Sequence, residues 1–224
     1  EFTVKVDGKA VSREHQLLSA SVLKTVNRIS SARLVYLDGA AAHSDFTLSN
    51  AATFVPGKEV EILAGAGDSP ASLFKGVVVR QSIRVREAGS SQLIVDCRHK
   101  AHRLTLGRRS AYYFDKLDSE IISSLLDSAG LQSDIAETSV SHSQQVQFGS
   151  SDWDFLLARA EANGRFVFTN DEKVVVRAPQ VSGKPVCSLQ FGATLLALDA
   201  QIDARNQRSS VKSTSWDPAQ QAVI

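Results

Sequence analysis

The sequence predicts a mainly β protein interrupted by a small α+β segment. Three observations predict it: period-two alternation through the first hundred residues, a change to helical spacing after residue 115, and a return to alternation after Cys187. Phe2, Val4 and Val6 alternate with Thr3 and Lys5, and Asp7-Gly8 then supplies the positive-φ pair that a tight hairpin turn requires. Further strands are expected at Ser21 to Ile29, Ala32 to Leu37, Glu59 to Leu63, Phe74 to Arg86 and Gln92 to Arg98. Turn clusters such as Pro56-Gly57 and Gly65 to Pro70 separate them. Strands at this spacing indicate a barrel or sandwich. In Ile83-Arg84-Val85-Arg86 the arginines share one face and the aliphatics the other, so the sheet has one wet side, as antiparallel sheets commonly do.

After residue 115, Asp118 stands as the cap of a helix whose Ile121, Ile122, Leu125, Leu126 and Ala129 recur at helical spacing, with Leu117 and Ile122 as a hydrophobic staple. Gly130-Leu131 ends it as a left-handed C-cap with its apolar contact. A second helix opens on the capping-box string Ser151-Asp152-Trp153-Asp154. It buries Trp153, Leu156, Leu157 and Ala160 and stops at Gly164. Two short strands, Arg165 to Thr169 and Lys173 to Ala178, follow as a hairpin around Asn170-Asp171-Glu172. Alternation resumes at Ser188 to Phe191, Leu195 to Asp203 and Ser209 to Trp216, where a second β domain is expected to begin.

Of the 224 residues 43% are hydrophobic and 22% charged, which excludes a disordered chain. Apolar runs such as Gly76-Val77-Val78-Val79 are far short of the roughly 18 residues a membrane span needs, so this fragment is expected not to bind a membrane. Twenty-five Lys and Arg against 24 Asp and Glu leave +1, so no global field draws the chain to nucleic acid. Cys97 and Cys187 make no CxxC pair and are read as buried, reduced thiols. The absence of methionine and the apolar ending Ala222-Val223-Ile224 read as an excised piece of a longer protein.

The search for chemistry yields no catalytic, cofactor-binding or metal residue. His99 and His102 lie three apart, but neighbouring cations and the lack of a carboxylate or thiolate argue against a metal. The basic stretch from Arg98 through Arg108-Arg109 has no interleaved aromatics to stack bases, so it reads as solvated or protein-facing. Asp152 and Asp154 resemble a paired acid and base, yet their position at a helix start, where negative charge is favoured, explains both. No Gly-x-Ser-x-Gly elbow, Walker loop or dinucleotide fingerprint occurs. The chain is expected not to be an enzyme. With aromatics at 7% and read as mostly core-periodic, a sugar- or oligonucleotide-binding barrel is disfavoured.

Two strings carry a family resemblance: Leu73-Phe74-Lys75-Gly76-Val77-Val78, and the run from Gln147 through Ser151-Asp152-Trp153-Asp154-Phe155-Leu156 to Gly164. Together they resemble the hub domain of Vgr-type spike proteins and phage late-control tail proteins. Phe191-Gly192-Ala193-Thr194-Leu195, Asp203-Ala204-Arg205 and Val211 to Asp217-Pro218 look like that family's second barrel. Phe148-Gly149-Ser150 departs from many type VI relatives, which carry Tyr and an acid there, and the C-terminal strings look closer to spikes of phage-like extracellular injection particles.

The resemblance implies two related antiparallel β-barrels of the phage tail hub type, the second truncated. Residues 1–114 would form the first barrel, 115–180 the α+β insertion and 181–224 the start of the second. It further implies a homotrimer that joins a central spike to a hexameric tail tube protein, touches other baseplate proteins, assembles in the bacterial cytoplasm and then serves in a phage-like or extracellular contractile particle. A peptidoglycan-cleaving phage tail enzyme is the alternative, and it would need two exposed carboxylates facing each other in a cleft.

Overall fold

The computed structural model describes residues 2–39, 44–65, 70–87, 90–205 and 207–223. They fall into two units, Glu1–Gln180 and Val181–Ile224. Residues 66–69 of the expected turn cluster at Gly65 to Pro70, and Ile224, lie outside the described residues.

In the first unit β1 (Phe2–Val6) turns into β2 (Lys9–Ala10). Asp7 and Gly8 sit at φ 47° and 78°, the left-handed pair that matches a hairpin turn to strand twist. With β3 (Leu17–Leu23), β4 (Ser31–Leu37), β5 (Glu59–Ala64), β6 (Ala71–Arg84) and β7 (Gln92–Arg98) they form an antiparallel sheet in the order β2-β1-β5-β6-β7-β4-β3. The strand expected to run to Ile29 ends at Leu23, and Asn27 then bends the chain at φ 59°.

Side chains from strands across this sheet, among them Val4, Leu34, Ile62, Phe74 and Val95, share one core, so the sheet must curl around it. Its two ends line one cleft of about 240 Å³ with Val4, Val11, Leu17 and Tyr36. Among the described residues no ladder closes that gap, because β2 is two residues long and offers β3 no strand to pair with. The short helix α1 (Thr47–Asn50) and the 3₁₀ turn Ala52–Phe54 add Leu48 and Phe54 to the core. Asp38 holds α1 by accepting from the backbone N–H of Leu48 at 3.0 Å and of Ser49 at 2.8 Å, and from the Ser49 hydroxyl. Burial opposes its charge, yet these hydrogen bonds keep the carboxyl below its ordinary range.

Gly76 is a close-approach glycine. A Cβ there would stand 2.3 Å from the Arg98 carbonyl oxygen and 2.7 Å from the Phe74 ring, so only a residue without a side chain lets β6 pass β7. Cys97 is buried on that strand, and burial, followed by the adjacent Asp96 charge, pushes its thiol up to about 12.

A second core follows. The 3₁₀ segment Lys100–Thr105 leads into β8 (Arg109–Leu117), α2 (Asp118–Ser128), β9 (Gln132–Ile135), β10 (Ser141–Ser150), α3 (Asp152–Ala162), β11 (Phe166–Asn170) and β12 (Lys173–Arg177). β8 and β10 form an antiparallel ribbon, while β12 pairs antiparallel with β11 and parallel with β9. Ile121, Leu125, Trp153, Leu156 and Val174 are buried together between helices and strands. Asp118 is the first helical residue rather than the cap: the Glu120 carboxylate accepts from the Leu117 N–H at 2.9 Å. That one-residue offset removes the Leu117–Ile122 staple, which joins the positions before and after the cap. Gly130 ends α2 at φ 68°, with the Leu131 N–H donating to Leu126.

The two cores meet at β11 and β12. Asn27 takes the place of a strand partner, its N–H donating to the Val167 carbonyl at 2.8 Å and its Oδ1 accepting from the Val167 N–H at 2.9 Å. The buried pair Ser30 and Thr169 exchange three bonds of 2.8 to 2.9 Å, one of them from the Ser30 N–H. Around the rim Lys24 donates to Asn170 at 2.9 Å, and Lys75 pairs with Glu172.

In the second unit the expected strands at Ser188 to Phe191 and Leu195 to Asp203 are absent among the described residues. β13 (Trp216–Asp217) and β14 (Ala222–Val223) pair antiparallel. Val186, Leu196, Ile202 and Val211 stand exposed, and alternation alone makes no strand where no neighbour supplies hydrogen bonds and cover. Cys187, expected to be buried, is exposed for the same reason.

Candidate interaction surface

The β8–β10 ribbon is the most unusual surface of the first unit. Its inner side is tied to α3: Tyr113 stacks on Phe155 with ring centroids 5.8 Å apart, and its hydroxyl donates to Gln147 Oε1 at 3.2 Å. Asp152 Oδ1 accepts from Arg109 Nε of β8 at 2.6 Å and from Gln147 Nε2 of β10 at 2.8 Å, so one carboxylate gathers both strands at the helix start. Ser151 caps the same helix, its Oγ accepting from the Asp154 N–H at 3.1 Å and donating to the Asp154 carboxylate at 2.6 Å.

Among the described residues the outer side has no such partner. Tyr112, directly across from Val146, is 65% exposed; Phe114 is 60% exposed, and Phe148 85%. Phe148 lies in the irregular step between Gln147 and Ser150, where Gly149 takes φ 53°. Surface apolar side chains are ordinarily scattered singly, so three exposed aromatics on two paired strands set this ribbon apart. The expectation that aromatics occupy core positions is thus corrected for these residues. Period-two reading fails where both faces of a strand are aromatic, as in Tyr112-Tyr113-Phe114. The signal that could have located the ribbon is that triplet itself, aromatic on both faces and followed at once by Asp115 and Lys116.

The remaining sequence candidates resolve into structural roles. His99 is buried and caps the 3₁₀ segment by accepting from the Ala101 N–H at Nδ1, 3.1 Å away, while His102 Nδ1 lies 3.3 Å from the His99 carbonyl. The two rings therefore serve the backbone of one turn. Asp118, unremarked as a partner in the sequence, is buried at the start of α2. Its Oδ2 accepts from Asn163 at 2.8 Å and lies 3.0 Å from His142 Nε2, and Arg159 stands 3.7 Å from its Oδ1, so it binds α2 to α3 and β10. In the basic stretch Arg109 is engaged by Asp152, and Lys100 pairs with Glu59 at 2.5 Å.

Solved structures with this fold include phage tail proteins and a type VI secretion component. The tail protein of Neisseria meningitidis MC58 superposes with a TM-score of 0.66 at 16% identity, over 92% of this chain and 60% of its own. The 43 kDa tail protein of prophage MuSo2 from Shewanella oneidensis gives 0.58 at 14% identity, over 79% of this chain and 52% of its own. The Escherichia coli c3393 protein, described as a component of the type VI secretion system with structural similarity to the T4 bacteriophage tail proteins gp27 and gp5, gives 0.57 at 14%, over 77% and 47%. The chain thus has the fold of phage tail and type VI spike-related proteins, and spans 47% to 60% of the length of these three. No curated protein matches it in sequence. The family model described as the Alg8 N-terminal domain matches residues 1–224, and the chain belongs to that family.

Proposed function

We propose that this protein is a structural baseplate hub of a contractile injection machine, and that it works without catalysis. The observation that carries the reading is the tail-protein fold extending over 92% of the chain. In this reading residues 1–114 are the first hub barrel and 115–180 the insertion, with β8 leading from one to the other, and 181–224 belong to a second, related barrel. Three copies associate, and two barrels from each offer a pseudo-sixfold ring to a hexameric tail tube, while other baseplate proteins bind around them. The particle assembles in the bacterial cytoplasm and acts as part of a phage-like or extracellular contractile machine.

The exposed face of Tyr112, Phe114, Val146 and Phe148 suits contact between subunits, since obligate interfaces bury more than about 2,000 Å² around an apolar centre. Asp152 and Asp154 are engaged by Arg109, Gln147 and Ser151, which supports a structural role for them over service as the acid and base of a peptidoglycan-cleaving enzyme. A symmetric reconstruction of the assembled particle tests the proposal. Three copies at the tube end are expected, with Tyr112 and Phe114 covered; one copy or six would overturn it.

A further inference from the structure

We propose that the far end of β6 is a docking edge for an extended acidic segment of a partner protein, which adds as a strand alongside residues 79–84. The proposal does not depend on the hub reading, because a different surface carries it.

The first observation is a free edge. β5 pairs with β6 from Ala71 to Val77, whereas β7 pairs with it from Val77 to Arg84. At Val78 the backbone is still engaged, its carbonyl by the Gly57 N–H at 2.8 Å and its N–H by the Lys58 carbonyl at 2.9 Å. Beyond it β6 has a strand neighbour on one side only, among the described residues. Such an edge presents backbone donors and acceptors to any added strand.

The second observation is charge. Arg33, Arg80, Arg84 and Arg86 line one cleft of about 420 Å³ together with Ser82, Ile83, Val85 and Ile94. A second cleft of about 520 Å³ shares Arg33 and Arg80 and extends to Arg98. The carboxylate facing these arginines is Asp96, which accepts from Arg33 Nε at 2.7 Å and Arg80 Nε at 2.8 Å. Burial opposes its ionisation, but the two guanidiniums outweigh that and hold it below its ordinary range, so it stays charged and fixes the inner pair. Arg84 and Arg86 have no carboxylate partner among the described residues; Glu87 follows them at the hairpin. Four guanidiniums against one carboxylate leave a local excess that the chain's overall +1 conceals.

The third observation selects the class of partner. Ile83 and Val85, 48% and 61% exposed, alternate with Arg84 and Arg86. An added strand with alternating acidic and aliphatic residues meets both kinds of side chain, because successive residues point to opposite faces. Neither cleft is lined by an aromatic side chain on which a base could stack.

The experiment uses the whole chain and a fluorescently labelled peptide of alternating Glu and Val, read by anisotropy. Binding that weakens with added salt is expected, falling by roughly tenfold or more in the Arg84→Glu, Arg86→Glu double variant and when alternate amides of the peptide are N-methylated. Both positions are exposed, so the variant should melt with the parent; if it does not, Arg84→Ser with Arg86→Ser provides the same readout. No binding by the parent, binding indifferent to the arginine changes, or binding indifferent to methylation overturns the proposal. So does an oligothymidylate of equal charge binding as tightly as the peptide, which would place nucleic acid there. If nothing binds, the arginines are the ordinary charged guards of an exposed edge.

Discussion

His99 shows how a single residue changes meaning once its surroundings are known. Spaced three from His102 it invites a metal, but in the fold it is 1% exposed and spends its Nδ1 lone pair on the Ala101 N–H. The proton therefore sits on Nε2, which is buried with no hydrogen-bond partner among the described residues. Burial lowers its pKa below the ordinary 6.5, because charging the ring would desolvate a cation and cost the cap. The unfolded chain then binds more protons than the native one just below 6.5. This contribution to stability is full above that value and is lost as pH falls through the folded value. Melting temperature should drop between about pH 7 and pH 5 in the parent and less in His99→Asn, whose side chain can keep the Ala101 bond without titrating. Asp38 and Asp96, both lowered from 3.8, act in a more acid window. Parallel pH curves for the two proteins would refute this account.

At the scale of elements, α3 was legible almost to the residue. Its capping serine, its C-terminal glycine at φ 61° and three of its buried positions all follow from local rules. Trp153→Ala should cost about 3 to 5 kcal/mol through lost burial and the cavity left behind. Asp154→Asn, at an exposed position, should cost at most about 1 kcal/mol. Urea unfolding of the two variants checks the contrast, and comparable losses would mean that Trp153 is not a core anchor. The β8–β10 ribbon was not legible. The string Ser141 to Gln145 is polar on both faces, and the pairing of its strand is decided by a partner more than twenty residues away in sequence. Phe155 was missed likewise, since its burial depends on Tyr113 crossing over α3.

At the scale of the first unit, stability depends on how two cores are joined. The Ser30–Thr169 exchange is buried and carries the Ser30 N–H, so Thr169→Val strands a donor where water cannot replace the lost oxygen. A loss of about 1 to 3 kcal/mol is expected, with faster amide exchange at residues 27–30 and little change within the strands of either core. Uniform loss of protection through both cores would show instead that the whole unit unfolds as one body whose joint has no separate stability.

The sequence by itself determined most strands of the seven-stranded sheet, the β11–β12 hairpin, the two main helices, where the first tight hairpin turns, and how both helices end. Each of these depends on side-chain period and on residues within a few positions of one another. Tertiary structure alone decided the order of the seven strands, the open gap between β2 and β3, the free edge of β6 and the aromatic face of the ribbon. Those features arise from contacts between residues far apart in the chain. Whether an aromatic residue is buried or exposed, or an arginine paired or free, is set by what the fold brings opposite it. Period-two alternation specifies two faces of a strand without saying which neighbour will cover either one.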